Sequence, residues 1–190
     1  MKKGLLIIFA GPSGVGKGTI LKELLEDKNL NLAYSISMTT RAPRKGEIDG
    51  ESYFFVTKED FEKAIENDEF LEYAKYVDNY YGTPKAYVEK QRNEGKNVIL
   101  EIETVGAEKV MEKCHDTTSI YLVPPSMEEL EHRLRGRGTE SEEKIQKRIE
   151  TAKSELLKLD KFKYVVKNDE IVKTTQQIKE IILKEINISE

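Results

Sequence analysis

The residues with the most concentrated chemistry are Gly11, Pro12, Ser13, Gly14, Val15, Gly16, Lys17, Gly18 and Thr19, the stretch GPSGVGKGT, directly after the apolar run LLIIFA. Their spacing, G-x-x-x-x-G-K between a strand and a helix, is that of a loop that surrounds phosphate oxygens with backbone N–H groups. Gly11, Gly14 and Gly16 permit the backbone conformations that turn those groups inward. The start of the following helix adds partial positive charge, and Lys17 supplies a full one for β- and γ-phosphates. Gly18 stands where a Ser or Thr ordinarily touches Mg²⁺. The metal can keep a water there, because Mg²⁺ holds its waters tightly, and Thr19 is one step away to assist. The expected ligand is ATP with a more hydrated Mg²⁺.

The arginines are a second signal. There are seven, and six fall in two clusters: Arg41 and Arg44 in TTRAPR, and Arg133, Arg135, Arg137 and Arg148 in and around LRGRGTES. A guanidinium matches phosphate oxygens bidentately where a lysine is a point charge. Two arginine clusters and one phosphate loop point to two phosphate-bearing ligands, with the glycines around Arg137 suggesting a segment that closes over them. The bland alternative for Arg133 and Arg135 is a solvated helix face paired with Glu128, Glu131 or Glu142.

These groups need a scaffold, and 190 residues suit one compact domain with a small inserted lobe. The net charge of -4 does not suit a nucleic-acid binder. A single cysteine, Cys114, excludes an internal disulfide framework and fits a reducing compartment. The apolar run after Met1, Lys2 and Lys3 is too short for a signal peptide, and no stretch approaches a bilayer span. The expectation is a cytoplasmic protein without a membrane or nucleic-acid partner, a monomer or weak homo-oligomer.

Apolar runs at Leu5 to Phe9, Val98 to Ile102, Ile120 to Val123 and Tyr164 to Val166 read as buried parallel strands. Helical patterns lie between them: from Lys17 to Leu25, from Ser126 with capping-box spacing to Glu129, from about Ser141 to Leu159, and from about Lys173 to Glu185. Alternating elements of this kind make a three-layer α/β fold. The segment from Tyr34 to Gly82 differs: it holds six of the nine tyrosines, Asp49-Gly50 as a hairpin-type turn signal, and one helix near Lys58 to Asn67. It reads as a β-rich lobe. The carboxyl ends of the strands bear the loop, then Glu101 and Glu103, which sit two apart and so on one strand face, then Pro124-Pro125, then Asn168-Asp169; ligands bind at that edge of such sheets.

On these motifs the chain resembles the guanylate kinases, nearly end to end: GPSGVGKGT (11–19), SISMTTRAPRKGEIDGESYFF (35–55), FLEYAKYVDNYYGTP (70–84), ILEIETVGA (99–107) and VPPSMEELEHRLRGRGTESEEKIQKRI (123–149). The resemblance implies a P-loop NTPase-type three-layer fold with a parallel central sheet: a core of residues 1–33, 93–125 and 150–190, an inserted GMP-binding lobe of residues 34–92, and a helical lid of residues 126–149. It implies transfer of the γ-phosphoryl group of ATP to GMP, and to dGMP, with Mg²⁺, in purine nucleotide metabolism. Ser37 and Glu72 would hold guanine, with Thr83 near the base. Arg41, Arg44, Tyr53 and Tyr81 would hold the GMP phosphate, with Glu101 and Glu103 beside it and Glu103 also reaching the metal through water. Arg133, Arg137 and Arg148 would clamp the ATP phosphates, and Asn168 would lie near adenine. The family often has Asp at one or both of positions 101 and 103, where this chain has Glu at both. It also has Val105 where the family often has Gln.

The base chemistry is consistent with that mapping. Guanine presents N1–H and the 2-amino group as adjacent donors for one carboxylate and O6 as an acceptor for a hydroxyl, a pair that adenine lacks. The GMP phosphate is an adequate nucleophile, so neither His115 nor His132 is needed as a base. The competing readings are a kinase for another nucleoside monophosphate, opposed by Ser37 and Glu72; a protein-binding scaffold without catalysis, opposed by the intact loop; and a GTPase switch, opposed by the lack of an Asn-Lys-x-Asp sequence.

Overall fold

The computed structural model describes residues 2–76, 78–136 and 141–188. The apolar run after the N-terminus forms β1 (Leu6–Ala10), every residue of which is buried. Burial on both faces follows from its position at the middle of a five-stranded sheet. The other strands are β2 (Leu32–Tyr34), β7 (Asn97–Glu101), β8 (Thr117–Val123) and β9 (Tyr164–Lys167), in the order β2-β7-β1-β8-β9, and all pair in parallel. Alternation sends Ile7 and Phe9 to one face and Leu6, Ile8 and Ala10 to the other. The first pair packs on Ile20 and Leu24 of α1 (Lys17–Glu26) and Ile178 and Ile182 of α7 (Ile171–Ile188). The second set packs on Val88 of α3 (Lys85–Asn93) and Ala107 and Val110 of α4 (Thr104–Lys113). These are the three layers expected from the sequence. The edge strand β2, with α3 and α4, adds to the expected elements; LAY is too short and too exposed to announce a strand by pattern.

A second sheet, β4-β3-β6-β5, comprises β3 (Met38–Thr39), β4 (Phe54–Phe55), β5 (Phe70–Tyr76) and β6 (Asn79–Pro84). Its core is small and aromatic: Phe61 of α2 (Lys58–Glu66) stacks on Phe70 at 4.4 Å and on Tyr80 at 5.2 Å. The Asp49-Gly50 signal is a local turn, with Gly50 at φ 77° and its N–H bonded to Tyr53 O at 2.8 Å, but it is not a hairpin. Its flanking strands β3 and β4 run parallel, because the chain makes a long excursion between them that Asp49 ties back through Phe55 N–H at 2.9 Å. The hairpin of this sheet is β5–β6, which pairs Tyr76 with Asn79.

Helices α5 (Met127–Gly136) and α6 (Glu142–Leu156) form a pair with its own core of Leu130, Leu134, Ile145, Ile149 and Ala152. Ser126 caps the first of them by accepting from Glu129 N–H at 3.1 Å. The pair rests on the glycine loop: a Cβ on Gly14, which has φ 87°, would lie 2.9 Å from Leu134 Cδ2.

Candidate active site

The loop between β1 and α1 is anchored at Val15, whose side chain is buried in the core while its carbonyl faces two donors. Asn168 Nδ2 donates to Val15 O at 2.8 Å and Arg133 Nη1 at 3.5 Å. Gly16 begins α1 in the left-handed region, φ 104°, and a Cβ there would meet Asn168 Nδ2 at 2.7 Å. Both conformation and space require glycine at this position. Asn168 is 1% exposed and its Oδ1 has no partner among the described residues. Lys17 Nζ donates to Gly11 O, and to Pro12 O at 3.2 Å. Burial pushes its pKa down, against the opposing charges of Glu101, Glu155 and Glu103. Around Gly18 there is open space, and Thr19 is exposed. A hydroxyl at position 18 is therefore missing by choice of residue and not by crowding.

Two adjoining cavities extend from the loop. The larger, about 650 Å³, is lined by Gly11, Ser13, Lys17, Arg148 and Glu155 among others. The smaller, about 380 Å³, is lined by Ser37, Tyr53, Glu72 and Tyr81 among others. Tyr76, Glu101, Ile102 and Glu103 line both, so the two carboxylates stand on the partition. The expectation that they share a strand face needs correction: β7 ends at Glu101, and Glu103 is the N-cap residue of α4, since the chain leaves the ladder at Ile102 to begin the helix.

Glu72 lines the smaller cavity, and Thr83, buried outside that lining, donates its Oγ1–H to Glu72 Oε1 at 2.7 Å. Burial raises the Glu72 pKa, while Thr83 and the charge of Lys109 hold it down. Arg41 lies 5.4 Å from the centre of the Tyr53 ring, which meets Tyr81 edge-on at 6.1 Å. Sequence reasoning missed the partner of Arg41. Glu47 accepts from Arg41 Nη1 at 3.0 Å and Nη2 at 2.8 Å, and from Arg44 N–H at 2.7 Å. The Arg41 guanidinium holds the Glu47 carboxyl below the usual carboxylate range. Arg44 is exposed beside this pair. Tyr34 also enters the cavity, its hydroxyl pushed up to about 12 by burial and by the nearby Glu101 and Tyr53.

On the other side, Arg148 Nη1 donates to Ser13 Oγ at 3.3 Å, bringing α6 onto the loop. Arg133 pairs with Glu129 at 2.8 Å while reaching Val15 O. Arg135 is taken up by Glu131 and Glu142, as a solvated helix face would have it. Arg137 lies outside the described residues. Also missed were Lys144, Lys147, Thr151 and Glu155, which line the larger cavity with Arg148. Their spacing on α6 was the available signal, since 144, 147, 148, 151 and 155 fall on one helical face. Burial raises the Glu155 pKa.

Glu101 and Glu103 offer hard oxygen donors in the cavity that opens from the loop, which suits a Mg²⁺ keeping several waters; Thr19 is exposed but does not line that cavity. A G-x-x-x-x-G-K loop between the central strand of a parallel sheet and a helix, with its lysine folded onto the loop carbonyls, makes this a P-loop protein. Within that class, the sequence model of guanylate kinase matches residues 3–185, and the chain belongs to the guanylate kinase family. It is 52% identical over 183 residues to a guanylate kinase of Mesoplasma florum, covering 96% of this chain and 62% of that protein. It is 53% identical over 184 residues to a guanylate kinase of Caldanaerobacter subterraneus subsp. tengcongensis, covering 97% and 89%. The chain thus spans less than two thirds of the Mesoplasma relative and most of the Caldanaerobacter one. The crystal structure of guanylate kinase from Anaplasma phagocytophilum superposes with a TM-score of 0.74 at 34% identity, over 97% of this chain and 87% of that one. No helix among the described residues is long and apolar enough to cross a membrane.

Proposed function

We propose that this protein transfers the γ-phosphoryl group of ATP to GMP, and to dGMP, giving ADP and the guanosine diphosphate, in the cytoplasm. The observation that carries the reading is the meeting of two unlike cavities at Glu101 and Glu103: one bears the phosphate loop and Lys17, the other a carboxylate–hydroxyl pair fit for a purine edge. The relatives named guanylate kinase point the same way.

In this reading the loop N–H groups and Lys17 hold the ATP phosphates, and Lys17 leaves the Gly11 and Pro12 carbonyls to do so. Arg133 and Arg148, already against the loop, neutralise charge on the transferring group, a role Arg137 would share. Asn168 keeps the loop in shape from behind, on the adenine side. Glu72 accepts N1–H and the 2-amino group of guanine, Ser37 donates to O6, and Thr83 fixes the carboxylate. Arg41, Arg44, Tyr53 and Tyr81 receive the GMP phosphate, with Glu47 giving up Arg41. When bound with ATP, Mg²⁺ supplies charge neutralisation on the β- and γ-phosphates; Thr19 and Glu103 would hold its waters. Positioning and charge are most of what such a transfer asks of a protein.

The test is ADP production from ATP·Mg²⁺ with one acceptor at a time: GMP, dGMP, AMP, UMP, dTMP or none. Turnover with the guanine nucleotides alone is expected. Equal use of GMP and AMP overturns the guanine assignment, and silence with every acceptor overturns the kinase reading.

A further inference from the structure

Glu72 lies on β5, and β5 is gripped by α4. Lys109 Nζ donates to Tyr73 O at 3.2 Å and Lys113 Nζ to Phe70 O at 3.2 Å, so two amines from one helix hold the strand on either side of residue 72. Lys109 lies above the Tyr73 ring, 5.6 Å from its centre, and lines the smaller cavity with Glu72. One turn earlier on the same face stands Gly106, with its backbone against the carboxylate. A Cβ there would lie 3.0 Å from Glu72 Oε2 and 3.3 Å from Cδ. Thr83 fixes the other oxygen. The carboxylate is therefore held between the Thr83 hydroxyl at one oxygen and the α4 backbone at the other, with Lys109 lining the same cavity.

We propose that Gly106 and Lys109 are specificity-determining positioning residues: Gly106 sets where the Glu72 carboxylate sits, and Lys109 keeps it anionic for the two guanine donors. The inference rests on the guanine reading of this cavity. Its chemistry follows from the surroundings. Burial acts against the anion at Glu72, and so does the negative charge of Glu103. The charged side chains lining the cavity are Glu101 and Glu103 from the partition, Lys75 on β5 itself, and Lys109, beside the hydroxyls of Tyr34, Tyr53, Tyr73, Tyr76 and Tyr81. Of these, Lys109 is the cation whose field favours ionised Glu72. A protonated Glu72 would present a hydroxyl to N1–H, donor against donor, and would lose the distinction between guanine and adenine.

The experiment measures kcat/KM for GMP between about pH 5 and 8, KM for ATP, and GMP binding by calorimetry, in the parent, Lys109→Gln, Lys109→Arg and Gly106→Ala. Removing the ammonium should raise the Glu72 pKa further. In Lys109→Gln the acid limb for GMP should therefore move up by about half a pH unit, roughly a threefold loss on that limb, with KM for ATP unchanged and Lys109→Arg restoring the parent limb. Gly106→Ala should raise KM for GMP about tenfold while leaving that for ATP within about twofold. A lowered melting temperature in Lys109→Gln with an unmoved acid limb means that Lys109 only ties α4 to β5, and overturns its part. An unchanged KM for GMP in Gly106→Ala overturns the other; a Gly106→Ala variant that does not fold makes Gly106 a packing residue and also overturns its part, and the Lys109 pair then decides the rest. A parent that binds GMP without turning it over fails the kinase reading alone, and the pH dependence of the binding constant then decides the present one.

Discussion

At the scale of single residues, the loop depends on Lys17 and on what is absent at Gly18. The Lys17 amine is held by carbonyls of its own loop and feels the charges of Glu101, Glu155 and Glu103. Lys17→Ala should lower turnover by about 10²–10³-fold or more and leave the melting temperature of the nucleotide-free protein nearly unchanged; scanning calorimetry beside the ADP assay checks both. Gly18 has room for a side chain. Gly18→Ser should fold normally, remove the helical penalty of glycine, and tighten the Mg²⁺ dependence of turnover by severalfold. An unchanged Mg²⁺ titration would mean that the hydroxyl of Thr19 already suffices. The loop was legible because its chemistry is local: nine consecutive residues declare strand end, turn and helix start. Glu72 and Thr83 became legible only through resemblance, and Glu47, Gly106 and Lys109 not at all, because each acts on a partner by a contact that carries no spacing rule.

At the scale of elements, the buried strands and long helices could be read from apolar periodicity, to within a few residues at their ends. The short strands of the second sheet could not. Two residues of β3 and two of β4 carry no period, and a turn signal between them suggested a hairpin where the chain in fact returns in parallel. The C-terminal helix shows how an element is fixed by one polar group. Glu185 on α7, 6% exposed, accepts from Tyr164 at 2.6 Å, Lys163 at 2.6 Å and Thr118 at 3.2 Å. Burial alone would raise its pKa, but Lys163, Tyr164 and Thr118 together hold it below the usual range. A depressed carboxylate stabilises the fold above its unfolded pKa, and that contribution is lost as pH falls through the folded one. Glu185→Gln should therefore cost roughly 2–3 kcal/mol at neutral pH, and the gap in melting temperature from the parent should narrow below about pH 4.5.

At the scale of the whole molecule, the parallel sheet brings the loop to its C-terminal edge, the second sheet faces it, and α6 walls the space between. The two cavities share the partition formed by Glu101 and Glu103, so occupants of both would bring their phosphates to the same carboxylates. Each ligand alone should raise the melting temperature, by the equivalent of about 2.7 kcal/mol at a hundredfold excess over its Kd. GMP together with a non-hydrolysable ATP analogue should do so by more than the sum of the two. A strictly additive shift, measured by calorimetry, would mean that the sites do not communicate.

Under the proposed function, in which Arg41 receives the GMP phosphate, the Arg41–Glu47 pair has another consequence. Both side chains are mostly sheltered, 13% and 22% exposed, and the two hydrogen bonds between them are those an arginine would make to a phosphate. The resting protein thus carries its own counterfeit anion. A stray sulfate or inorganic phosphate offers Arg41 little that the carboxylate does not already give. A nucleotide is different, because its base is held elsewhere and its phosphate arrives tethered, at high local concentration. On that reading the decoy would work as a filter: it would make the anchor answer to molecules recognised at their other end and ignore bare ions of the same charge.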